Sequence, residues 1–276
     1  MIRSLRTTPP NWTAIRAVLA KDLRAVRRSK AVILPMLLVP ALLMIALPAG
    51  LGIAARNRVA GDLGGLLDSI PDRIAAPLES LPERERLLVL ILGYLLAPLF
   101  LVVPLMVSAV LAADAFAGEK ERRTLEALLH LPISDRDLFI AKLASAFLPA
   151  VAVSWIGFLA FAVVSNVIGW PVMQRIFIPT RLWAVVILWV APAVATLGLG
   201  VMVRVSARAK TTQEANQLGG AVILPLIFLA VGQSTGLLLV DLPVAFAIGA
   251  GVWILAIWLV ARGARKFTRD ALATGL

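Results

Sequence analysis

The residues best placed to do chemistry in this chain are charged, and most gather in one stretch. It reads Ala113-Asp114-Ala115-Phe116-Ala117, then Gly118-Glu119-Lys120-Glu121-Arg122-Arg123, then Thr124-Leu125-Glu126-Ala127-Leu128-Leu129, with Pro132 closing it. Residues 119–123 are all charged, while Leu125, Leu128 and Leu129 share a helix face at i, i+3, i+4. Ser134 then opens Ser-Asp-Arg-Asp, a capping box in which Asp137 reaches back to start a new helix that runs through Lys142. Two helices therefore meet at Pro132-Ile133-Ser134. The chemistry such a corner offers is recognition: a short helix with apolar and charged faces can seat in a partner's groove. A solvated loop touching lipid headgroups is the other reading these residues leave open.

Bond-making chemistry has few footholds. The chain has no Cys, so it offers no thiolate nucleophile, disulfide or thiolate metal site. His130 is the single histidine and has no histidine partner for a metal. No G-x-x-x-x-G-K-[ST] loop is present, so any ATP must be bound by another chain.

The elements that must position the charged stretch are membrane spans. Hydrophobic residues make up 60% of the 276, against about 45–50% in soluble domains. A bilayer core about 30 Å thick needs about 20 apolar residues as helix. Six runs meet that requirement: 31–55, 87–112, 143–168, 182–203, 218–240 and 242–261. In lipid each must satisfy its own backbone, so helix is the expected form, and the fold class is an all-α polytopic membrane protein of one domain. By these bounds no Asp, Glu, Lys, Arg or His lies in a span, whereas ion-coupled transport places such groups at depth.

The chain carries a net charge of +11. Twenty of the 27 Lys and Arg lie in segments 1–30, 113–142, 204–216 and 262–276, which marks these as cytoplasmic and puts both termini inside. Nucleic acid is the weaker reading of this charge; anionic headgroups and a cytosolic partner explain it better. Segment 56–86 is external, with a short helix expected around Leu63, Leu66, Leu67 and Ile70. Trp170 and Trp183 flank the next external loop, where an aromatic belt would place them.

Residues 11–30 read as an amphipathic helix capped by Asn11. Trp12, Ile15, Val18, Leu19, Leu23 and Val26 fall on one arc and Lys21, Arg24, Arg27 and Arg28 opposite, while Arg16 and Asp22 blur the apolar side. It is expected along the cytosolic headgroups, with packing on another protein as the alternative. Pro35, Pro40 and Pro48 are expected to kink the first span.

The run Gly118-Glu119-Lys120-Glu121-Arg122-Arg123-Thr124-Leu125-Glu126-Ala127-Leu128-Leu129, with Pro132-Ile133-Ser134 and Lys142, resembles the signature of ABC transporter permeases of the type-2 exporter class, and within it the sodium-efflux-like branch. Ala141 stands where that pattern has Gly. Ser206-Ala207-Arg208-Ala209-Lys210-Thr211-Thr212-Gln213 is similar to the family's Ser-x-x-x-Lys-Thr-x-Gln element, and Pro225 follows in the next span. The resemblance implies six spans (31–261) after a connecting helix (1–30) and before a cytoplasmic tail (262–276). It implies an exporter subunit that is not itself an enzyme, with ATP and Mg held by a cytosolic ATPase, two ATPases joining two permeases in the bacterial plasma membrane. The ATPase-coupling residues would be Gly118, Glu119, Lys120, Glu121, Thr124, Leu125, Glu126, Leu128, Leu129, Pro132 and Lys142, with Ser206, Lys210, Thr211 and Gln213 in the second cytoplasmic loop. A membrane anchor or assembly factor and a secondary transporter are the competing classes; charge-free spans weigh against the latter.

Overall fold

The computed structural model describes residues 9–57, 78, 80–121, 133–207, 209, 211–220 and 242–266. The expected external helix near 63–70, most of the apolar run 218–240 and the stretch 122–132 lie outside the described residues. The regular elements described are helical. Helix α1 is Trp12–Arg28. Among the described residues, five helices are long and apolar enough to cross a membrane: α2, Val32–Arg56; α3, Glu85–Gly118; α4, Asp135–Met173; α5, Arg181–Ser206; and α7, Leu242–Arg265. A short helix, α6, spans Thr212–Gly219 between α5 and α7.

Burial sorts these helices into two roles. The apolar stretches of α3 and α5 are mostly buried, whereas those of α2, α4 and α7 are mostly exposed. α5 packs along α3 on one side and α7 on the other, α4 packs on α3, and α2 lies against α4. The outward face of α4 is a stripe of Leu148, Trp155, Ile156, Leu159, Val163 and Val167, all exposed. Such a surface has no place in water and is what lipid-facing helix requires. Lipid gives helices little hydrophobic reason to associate, so close backbone approach must do more of the packing. A Cβ on Gly198 of α5 would stand 2.5 Å from Ser108 Oγ and 3.0 Å from the Leu105 carbonyl oxygen of α3.

Proline shapes the central helices in a repeated way. π-helical segments Leu42–Ala46, Val89–Leu95 and Val186–Val190 are each followed by a helical segment with Pro48, Pro98 or Pro192 near its start. A proline lacks the N–H and crowds the carbonyl four residues back, and a wider turn relieves that contact. Lipid supplies no donors to carbonyls along such segments, and three of them accept from tryptophans of neighbouring helices. Trp183 Nε1 of α5 donates to Leu92 O in α3 at 3.1 Å. Trp155 Nε1 of α4 donates to Ile187 O at 3.2 Å, and Trp253 Nε1 of α7 to Trp189 O at 3.2 Å, both in the π segment of α5.

Trp183 therefore corrects the aromatic-belt expectation. It is fully buried, with ring centroids of Phe161, Phe100 and Phe158 at 4.6, 5.3 and 5.4 Å. In the core its one polar group, the indole N–H, is met by the Leu92 carbonyl. Trp170 is about half exposed, as a belt position requires. The loop between α4 and α5 is held by Asn166, whose Nδ2 donates to Ile178 O at 2.6 Å and whose Oδ1 accepts from Phe177 N at 2.9 Å.

The charge-free description of the spans also needs adjusting at their ends. The membrane-length helices run past the apolar runs, so Asp114 lies in α3, Lys142 in α4 and Arg204 in α5. These groups sit near one end of the bundle, where the charged stretch begins.

Candidate functional site at the junction of α1, α3 and α4

The starts of α1 and α4 are built into one another. Asn11 caps α1, its Oδ1 accepting from Ala14 N at 3.1 Å, and Ser134 caps α4, its Oγ accepting from Asp137 N at 3.1 Å. The Asp137 side chain departs from the expected capping box. Its carboxylate accepts from Asn11 N at 3.3 Å, so it serves the N-terminal end of α1, where a negative charge is favoured. Directly below, Ile15 and Val18 of α1 pack with Ile133, Leu138 and Ala141. Part of the apolar arc of α1 is thus turned onto α4, which buries it.

About a turn further along α1 the contact becomes ionic. Asp22 of α1, Lys142 of α4 and Glu119, in the turn Glu119–Glu121 that follows α3, are all buried, Lys142 being only 1% exposed. The Lys142 ammonium is paired with the Glu119 carboxylate, lies 4.0 Å from Asp22 Oδ2 and donates to Ala115 O at 2.9 Å. Lys21 closes the ring from the solvent side, 3.0 Å from Glu119 Oε1 and 3.2 Å from Asp22 Oδ1. Two ammonium groups and two carboxylates balance. Burial alone pushes the Lys21 pKa down, but the carboxylates of Glu119 and Asp22 outweigh it and hold the group above its ordinary value of 10.5. The Ala115 carbonyl belongs to a further π-helical segment, Asp114–Gly118, so here a lysine does what tryptophan does deeper in the bundle.

A second contact joins the turn after α3 to the start of α6. Glu121 Oε2 accepts from both N and Oγ1 of Thr212, each at 2.9 Å. The neighbouring Thr211 caps α6, its Oγ1 accepting from Glu214 N at 3.1 Å. One carboxylate therefore ties the end of α3 to the beginning of α6.

The sequence-derived site residues fall into three groups. Glu119 and Lys142 meet in the buried cluster, with Gly118 buried in the last turn of α3 beside them. Glu121 reaches the start of α6 through Thr212, next to the cap Thr211; Gln213 is exposed on that helix and Ser206 is buried in the last turn of α5. Thr124, Leu125, Glu126, Leu128, Leu129, Pro132 and Lys210 lie outside the described residues, and Lys120 is described through its backbone alone. Sequence reasoning missed Lys21, Asp22, Asn11 and Thr212 as members of the junction. Asp22 carried a signal: a carboxylate on the apolar side of an amphipathic helix must find a buried cation. Among the described residues no three His, Cys, Asp or Glu side chains gather as a metal would need.

These features describe a helical bundle in which the turn after α3 is joined to α1, α4 and α6 by ion pairs and hydrogen bonds. The model of the ABC-2 family transporter proteins matches residues 16–244. The chain belongs to the ABC-2 transporter family. The match begins within α1, takes in α2 to α6 and the segments between them, and ends just inside α7. This ABC-2 chain is accordingly a multi-pass membrane protein and a permease subunit of an ABC transporter, a class that normally works with a cytosolic ATPase. No curated protein matches it.

Proposed function

We propose that this permease couples ATP-driven closure of a cytosolic ATPase dimer to export through the junction of α1, α3 and α4. The observation that carries the reading is the ring of Asp22, Glu119 and Lys142, buried and closed on its solvent side by Lys21. It lies where the stretch 122–132 leaves α3 and where α4 begins. A push on that stretch therefore meets three helices clamped by ion pairs rather than one flexible loop. In this reading 1–276 is a single permease domain with both termini cytoplasmic, in the bacterial plasma membrane. It has six spans, the fifth within 218–240, and belongs to the sodium-efflux-like branch. α1 is the connecting helix, its remaining apolar residues against the cytosolic headgroups.

The assembly holds two permeases and two ATPases, and the ATPases bind ATP and Mg. Leu125, Leu128 and Leu129 fill the ATPase groove and Glu126 pairs with a basic residue there. Glu119 and Lys142 act behind them as the internal clamp, and Glu121 passes the displacement to α6, with Thr211 and Gln213 beside it. The test is a mild-detergent pull-down of the tagged chain from its own cells, with mass spectrometry of what stays bound. The expected result is a stoichiometric chain carrying a G-x-x-x-x-G-K-[ST] loop, lost when Leu125 and Glu126 are both changed to Ala. Retention of no such chain, under conditions that keep other membrane complexes intact, would sink the reading.

A further inference from the structure

At the same membrane face, away from the clamp, α5 and α7 present a different group of charges. The Arg262 guanidinium carbon lies 5.1 Å from the Trp258 ring centroid, and that of Arg204 lies 5.7 Å from it. Arg204 is in the final turns of α5, and Trp258 and Arg262 are one turn apart on α7. Both arginines are exposed and the indole is about half exposed. Among the described residues neither guanidinium has a carboxylate partner and the indole N–H has no acceptor. One ring thus gathers two cations and an indole donor, with no counter-charge among the described residues.

Their placement is fixed rather than left to flexible side chains on a mobile surface. A Cβ on Gly200 would stand 2.8 Å from Leu259 Cβ, and one on Gly263 would stand 2.8 Å from Val203 Cγ1. Glycines on both helices therefore bring the backbones together on either side of the pair. Two like charges over one ring repel each other and are stabilised by an anion. Guanidinium forks match phosphate oxygens bidentately, and an indole at the headgroup level keeps its N–H toward polar groups.

We propose that Arg204, Arg262 and the Trp258 N–H form a phosphate-binding site that holds the headgroup of an anionic phospholipid in the leaflet bearing the cytoplasmic loops. A lipid held there would bridge α5 and α7 at the end where α5 leads into α6.

The test is native mass spectrometry of the full chain in mild detergent, titrated with phosphatidylglycerol or phosphatidylcholine, with inorganic phosphate as competitor. The wild type should retain one phosphatidylglycerol in preference to phosphatidylcholine. R204Q/R262Q should weaken that retention by roughly fivefold for each arginine. R204K/R262K keeps the charge but loses the fork, and should fall between the two. Equal retention of the two lipids, or a lysine variant that binds like wild type, would reduce the effect to general attraction of basic surface and overturn the site. Displacement of phosphatidylglycerol by millimolar inorganic phosphate would assign the site to the soluble anion and overturn the lipid.

Discussion

Burying an ammonium group costs several kcal/mol unless its charge is met inside the protein. Lys142, 1% exposed, meets Glu119, Asp22 and the Ala115 carbonyl. Lys142→Met should leave the two buried carboxylates with Lys21 alone and destabilise the chain by about 3–5 kcal/mol, read as a loss of thermal stability in detergent. Lys142→Met with Glu119→Met removes a cation and an anion together, leaving Lys21 paired to Asp22. That double variant should regain most of the stability yet not the ATP-driven transport, if the pair serves coupling rather than folding alone. Equal recovery of both properties would reduce the pair to a structural one. Trp183→Phe is a different kind of residue-scale test. It keeps the aromatic packing but strips the donor from Leu92 O, and should cost about 1–3 kcal/mol in the same measurement. The sequence flagged Lys142 only through family resemblance. It put Trp183 in the wrong environment because an acceptor carbonyl on another helix leaves no local signature near the indole that donates to it.

At the scale of elements, α1 is held by three kinds of contact in turn: cross-capping with α4, a small apolar cluster and the ion ring. The cap at Asn11 and the apolar arc were legible from sequence, since both follow helical periodicity. That Ile15 and Val18 turn toward α4 was not, because an apolar arc looks the same whether lipid or protein covers it. The ion ring also sets how this docking responds to pH. Lys21 has a folded pKa raised above 10.5, so its contribution is fully present below the unfolded value and is lost only as pH rises through the folded one. Amide exchange of α1, corrected for its intrinsic pH dependence, should therefore show constant protection from about pH 7 to about pH 9. A fall in protection within that window would mean that another group controls the docking. Asn166 is the main polar anchor inside the loop between α4 and α5, with the Arg175–Glu85 ion pair on its outside. Asn166→Leu keeps the volume but abandons the Phe177 N–H and the Ile178 carbonyl. The expected loss of about 2 kcal/mol should come with increased proteolysis between α4 and α5.

For the whole molecule, the apolar runs and their basic flanks announced a polytopic helical protein, because bilayer thickness and backbone satisfaction leave few alternatives. Which spans are central was hidden, since the runs are similarly apolar. The distinction comes from glycine contacts and tryptophan donors between helices, and α3 and α5 hold the interior by these means. The same organisation predicts what moves together. α1 is joined to α4 by its caps, its apolar cluster and Asp22, and Lys142 with Glu119 joins both to the end of α3. If this assembly is the lever on which the ATPase acts, α1 and the start of α4 keep their contact throughout the cycle. The chain has no cysteine, so a pair introduced at Ile15 and Leu138, members of one buried cluster, can be linked without side reactions. With the pair closed by a short thiol-reactive linker, transport and permease-stimulated ATP hydrolysis should match those of the reduced protein. If linking abolishes transport while folding and ATPase binding persist, α1 must separate from α4 during the cycle, and the junction is a latch that opens rather than a lever that tilts.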